Sequence, residues 1–94
     1  MEELHTYVMY DIENDSIRYR VAEVCKDYGL ERIQFSAFAG PLSRNMREEL
    51  CIKLNTVIGD SPGRLMVQPV CEKDCKNCYK LINEKPADAD TEGE

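Results

Sequence analysis

Ninety-four residues suffice for one domain, and a chain this short buries only a modest fraction of its surface, so a core shared between two copies is expected. With 43% hydrophobic and 32% charged residues, and no apolar run near the roughly 20 residues a membrane span needs, the composition excludes a membrane helix. A net charge of −6 excludes a surface coated in phosphate-binding cations but leaves room for a local basic patch.

The N-terminal MEELHTYVMYD lacks a basic n-region and a small-residue cleavage site, so it does not read as a signal peptide, and the cytoplasm is the expected location. Residues 4–11, LHTYVMYD, are rich in strand formers, with Leu4, Thr6, Val8 and Tyr10 on one face and His5, Tyr7 and Met9 on the other. Both faces look covered, as in a central strand ending at Asp11. Asn14, Asp15 and Ser16 offer helix caps before Ile17, Val21, Val24, Cys25 and Tyr28 recur at helical spacing, and Gly29 supplies the stop.

From Leu30 to Phe38 the sequence alternates, with Ile33, Phe35 and Ala37 opposite Gln34, Ser36 and Phe38, which predicts a second strand; a short third follows around 37–42. On this phase Phe38 points away from the helices, as dimer-interface core or as a platform for base stacking. Ser43 or Asn45 caps a second helix striped by Met46, Leu50, Leu54, Val57 and Ile58. Gly59-Asp60-Ser61-Pro62-Gly63 is a dense turn signal, Arg64 to Val70 reads as a strand that Pro69 marks as an edge, and 79–82 as one more short strand. These elements predict a single α+β domain over 1–84, a ferredoxin-like βαββαβ sandwich with an extra C-terminal strand and with both helices on one sheet face. The open face is expected to pack sheet to sheet in a homodimer, the extra strand extending the partner's edge. Residues 85–94, KPADADTEGE, contribute −3 of the net charge and read as a disordered acidic tail.

Asp11 is the first candidate for chemistry, since a strand that ends in Asp projects a carboxylate from a rigid element. A strand-end acid is more often a cap or turn residue, and the calcium-loop pattern fails because Ser16 replaces the required glycine. Magnesium takes one or two carboxylates with water and phosphate oxygens, so a lone Asp11 is half a site that a twofold axis would complete. Arg18 and Arg20, just after the acidic loop, suit bidentate phosphate contacts, or equally an exposed face paired with Asp15 or Glu23.

Five cysteines suggest free thiols or metal ligands in a reducing compartment, with Cys25 and Cys51 on apolar helix faces as core. Cys71, Cys75 and Cys78 have the close spacing of zinc ligands but lack a paired knuckle and a fourth ligand, so they read as turn cysteines in preference to a zinc site.

The ordered series Val8-Met9-Tyr10-Asp11-Ile12, Arg18 and Arg20 with Val21, Tyr28-Gly29-Leu30, and Gln34-x-Ser36-x-Phe38-x-Gly40-x-Leu42 resembles the CRISPR-associated protein 2 family over residues 4 to about 83. The resemblance implies a ferredoxin-like homodimer of CRISPR antiviral defence that acts in spacer acquisition as a metal-dependent endonuclease on RNA or DNA. It places the catalytic and metal-binding aspartate at Asp11, with Mg²⁺ or another divalent cation as cofactor. Tyr10, Arg18, Arg20, Arg32, Ser36 and Phe38 are the implied nucleic-acid-binding residues, and the CRISPR integrase subunit is the implied partner. The alternative it leaves open is a non-catalytic homodimeric scaffold that bridges the integrase and binds duplex DNA.

Overall fold

A computed structural model describes residues 2–83; the acidic tail and the end of the expected domain at residue 84 lie outside the described residues. The elements run β1 (Glu3–Asp11), α1 (Asp15–Asp27), β2 (Glu31–Gln34), β3 (Ala37–Ser43), α2 (Arg44–Ile58), β4 (Arg64–Val70) and α3 (Glu72–Lys76). The four strands form one antiparallel sheet in the order β2-β3-β1-β4, the ferredoxin-like arrangement.

β1 is the central strand, and its period of two sorts its side chains. Val8 stands opposite Phe38 on one side and Val67 on the other, and Thr6, Val8 and Tyr10 are buried beneath the helices. From α1 the core takes Ile17, Val21, Ala22 and Cys25, and from α2 Leu50 and Leu54. Full burial of side chains such as Phe38, Leu50 and Val8 contributes roughly 1.5–3 kcal/mol each.

Local chemistry sets the helix ends. Asn14 Oδ1 accepts from the Ile17 N–H at 2.9 Å, and Ser43 Oγ accepts from the Met46 N–H at 3.2 Å. At the end of α1 the Gly29 N–H donates to Lys26 O and the Leu30 N–H to Cys25 O, the paired bonds of a Schellman stop, which needs the positive φ of 82° at Gly29.

Several expectations are corrected. The run 30–38 is two strands: it folds back at Phe35–Ser36, so that Gln34 pairs with Ala37, with a bulge between Arg32 and Gln34. The turn resets the alternation and sends Phe38 inward, opposite Val8 and Arg32. Cys51 is exposed because the inward stripe of α2 runs through Leu50 and Leu54, one helical step away. The expected C-terminal strand at 79–82 pairs with no strand among the described residues, and the cysteine-bearing turn before it is the short helix α3.

The sheet face away from the helices stays open, and Met9, Ile33 and Met66 are exposed there. Residues 78–82 border it, forming with His5, Tyr7, Ile33, Gln34 and Ala39 a hollow of about 430 Å³. No helix among the described residues is long and apolar enough to cross a membrane.

Candidate nucleic-acid interface

The end of β1 splits two neighbouring residues between the two faces of the sheet. Tyr10 is buried on the helix side, and its N–H donates to Ser36 O at 3.0 Å, tying the strand to the β2–β3 turn. Burial pushes the Tyr10 phenol above its ordinary pKa, and the nearby Arg32 and Arg18 guanidiniums oppose that shift without cancelling it. Asp11 is exposed and shares the open face with Tyr7 and Met9. It sits opposite Arg64 in the β1–β4 ladder, but among the described residues it makes no ion pair.

Arg18 braces the loop that follows Asp11. Its Nη1 donates to the carbonyls of Ile12 and Glu13 at 3.1 Å each, its Nη2 pairs with Asp15, and its guanidinium lies 5.6 Å over the Phe35 ring. Of the two acids expected to pair on this helix face, Arg18 takes Asp15. Arg20, two positions on, points elsewhere on α1; it is exposed and has no hydrogen bond or ion pair to another described residue.

Arg32 extends over the Phe38 ring at 4.9 Å and donates to Phe35 O. With Tyr10, Arg18, Tyr19, Lys26 and Phe35 it lines a cleft of about 280 Å³ between α1 and the β2–β3 turn. Ser36 does not line the cleft; its backbone carbonyl accepts from the Tyr10 N–H. Phe38 has no exposed surface, so it cannot serve as a stacking platform: the hairpin turn has put it in the helix-side core. The exposed aromatics of this region are Phe35, at 72%, and Tyr19, at 66%.

Tyr19, Lys26 and Phe35 were not singled out by the sequence. Phe35 was hidden because an unbroken strand placed it in the core, and its position between polar Gln34 and Ser36 keeps the alternation of a continuous strand. Gly63 was also missed as a positioning residue. Its φ is 148°, and a Cβ there would meet the Ile12 side chain at 2.9 Å and the Asp11 carbonyl oxygen at 3.2 Å.

Two donor sets bear on metal binding. Among the described residues no three His, Cys, Asp or Glu side chains come together to hold an ion, at Cys71, Cys75 and Cys78 or elsewhere. Asp11 offers one carboxylate on an open face, which fits half of a magnesium site shared across a twofold axis and not a complete site within one chain.

A family model described as CRISPR associated protein Cas2 matches residues 4–78. The CRISPR-associated endoribonuclease Cas2 of Desulforudis audaxviator is 45% identical over 73 residues, which cover 78% of this chain and 69% of that protein. A Cas1/Cas2 endonuclease fusion of Thermoproteus tenax is 30% identical over 86 residues, 89% of this chain and 33% of the fusion. The crystal structure of Streptococcus pyogenes Cas2 has the same fold, with a TM-score of 0.70 at 19% identity, covering 83% of this chain and 99% of that one.

Proposed function

The chain belongs to the CRISPR-associated protein Cas2 family, and we propose that it acts in CRISPR spacer acquisition as a homodimeric, metal-dependent endonuclease that cleaves RNA or DNA phosphodiester bonds. The observation that carries the reading is the placement of Asp11: a carboxylate with no internal partner among the described residues, at the end of the central strand, on the face left open for a second copy.

In the dimer, Asp11 from each chain would hold Mg²⁺ or another divalent cation. Bound there, the cation supplies Lewis-acid stabilisation of charge at the scissile phosphate and an activated water. The chain's own residues do the remaining work. Gly63 packs against the Asp11 carbonyl, Arg18 holds the carbonyls of Ile12 and Glu13 that follow it, and β1 fixes the direction of the carboxylate. Arg20, exposed and unpaired among the described residues, is suited to a backbone phosphate, while Arg32 and the Tyr10 hydroxyl face the cleft, where they can donate to a phosphate oxygen.

Sheet-to-sheet pairing covers Met9, Ile33 and Met66, and β4, which among the described residues pairs only with β1, leaves an edge for residues 79–82 of the partner. The existence of a Cas1/Cas2 fusion supports the integrase subunit as partner and favours a second reading in which the dimer is a non-catalytic scaffold on duplex DNA. Both roles place the protein in the cytoplasm with its nucleic acid.

Labelled RNA and DNA incubated with the purified protein, with Mg²⁺ and with a chelator, test the first reading. Metal-stimulated cleavage that disappears in Asp11→Ala, while light scattering still reports a dimer, is the expected result. Cleavage retained in Asp11→Ala overturns it; spacer acquisition undisturbed by the same substitution favours the scaffold.

A further inference from the structure

The nucleic-acid reading uses none of the three C-terminal cysteines. Cys71 caps α3, Cys75 lies in its last turn, and Cys78 follows Asn77, where the helix ends. The Cys78 N–H donates to Cys75 O at 3.2 Å, closing a four-residue turn. Such a turn brings its end Cα atoms within about 7 Å, overlapping the roughly 4.4–6.8 Å that a disulfide spans. Cys78 is exposed and Cys75 half-buried, so reagents in solution reach the pair.

Cys78 also lines the same hollow as Tyr7. The Tyr7 phenol is held above its ordinary pKa, first by burial, then by the charge of Cys78 and its hydrogen bond, then by Cys75.

We propose that Cys75 and Cys78 are a redox-active thiol pair that closes reversibly into a disulfide by exchange with a low-molecular-weight disulfide of the glutathione type. The exposed Cys78 thiolate attacks one sulfur of oxidised glutathione, breaking that S–S bond and releasing one glutathione thiolate, which takes up the proton Cys78 gave. The Cys75 thiolate then attacks the Cys78 sulfur of the mixed disulfide and expels the second glutathione thiolate, which takes up the proton from Cys75. The two cysteines lose two electrons and two protons, and one oxidised glutathione becomes two reduced molecules.

The ring closes immediately before Tyr79–Ile82, the segment that borders the open sheet face beside His5, Tyr7 and Ile33. Oxidation fixes the direction in which that segment leaves α3. This pair works whether or not the protein is a nuclease.

The test uses the full chain, reduced and then equilibrated in glutathione buffers of increasing oxidised fraction, acid-quenched, alkylated and digested with trypsin. Cleavage after Lys73, Lys76 and Lys80 places Cys71, Cys75 and Cys78 on three separate peptides, 65–73, 74–76 and 77–80. The expected product is 74–76 joined to 77–80, in at least tenfold excess over any linked peptide containing Cys71, at monomer mass on a non-reducing gel. It should persist in Cys71→Ser and vanish in Cys75→Ser and Cys78→Ser. Alkylation of Cys75 and Cys78 as complete as that of exposed Cys51 at the most oxidising ratio overturns the proposal. Pairing through Cys71, a linkage between copies, or a stable glutathione adduct without ring closure does so equally.

Discussion

Gly63 lies against the backbone of Asp11: a Cβ at position 63 would come within 3.2 Å of the Asp11 carbonyl oxygen. The turn into β4 thus fits closely against the residue on which the proposed chemistry depends.

Gly63→Ala is therefore expected to cost roughly 1–3 kcal/mol, because the new methyl meets backbone and the φ of 148° strains any L side chain. Urea unfolding measures it. The substitution should also reduce cleavage by displacing Asp11, and an unchanged unfolding midpoint would show that the turn relaxes freely.

Arg18 and Arg20 should separate stability from binding. Arg18→Ala removes two hydrogen bonds to the loop carbonyls and the Asp15 pair, partly exposed interactions worth about 1 kcal/mol together. Arg20→Ala should leave stability within about 0.5 kcal/mol while lowering the salt dependence of nucleic-acid binding by about one phosphate contact. Titrations at several salt concentrations, paired with thermal melts, distinguish the two.

The two phenylalanines invert the sequence expectation. Phe38→Ala opens the core and should cost about 3–5 kcal/mol. Phe35→Ala, at an exposed turn, should change stability by less than about 0.5 kcal/mol yet weaken single-strand binding by roughly 1–3 kcal/mol if a base stacks there. Equal losses of stability in both variants would contradict the hairpin.

Cys25 makes stability depend on alkaline pH. Burial pushes its thiol up from 9.0 to about 12. Below pH 9 the thiol is protonated whether the chain is folded or unfolded, and stability does not change on its account. Between pH 9 and about 12 the unfolded chain gives up the proton first, so stability falls. Unfolding midpoints at pH 8 and pH 11 should differ less in Cys25→Ala than in the wild type, and native Cys25 should resist alkylation while Cys51 reacts.

The central strand and both long helices were legible because each is written in local chemistry, period-two alternation and helical stripes; of the caps, Asn14 stood as one candidate with Asp15 and Ser16, and Ser43 beside Asn45. The β2–β3 turn was not legible. Phe35 and Ser36 carry no glycine or proline, and an apolar residue at a turn tip preserves the alternation of a continuous strand, so only the pairing of Gln34 with Ala37 reveals the fold-back. That one turn decides which aromatic is core and which lines the cleft. Arg18 was legible as a cation beside the acidic loop, but its use as a brace depends on the path of the loop carbonyls, which no residue spacing encodes.

β1 is hydrogen-bonded on both edges, to β3 and to β4, and the Tyr10 N–H is claimed by Ser36 even beyond the last β3 pair. Backbone amides enclosed in this way exchange with solvent only when the sheet itself opens. The residue before the candidate ligand should thus be among the slowest-exchanging amides of the protein. Asp11 is an exposed side chain on a stretch of backbone bonded along both edges, so a cation that draws two such carboxylates together must be satisfied by side-chain rotation and by the rigid approach of one whole chain to the other.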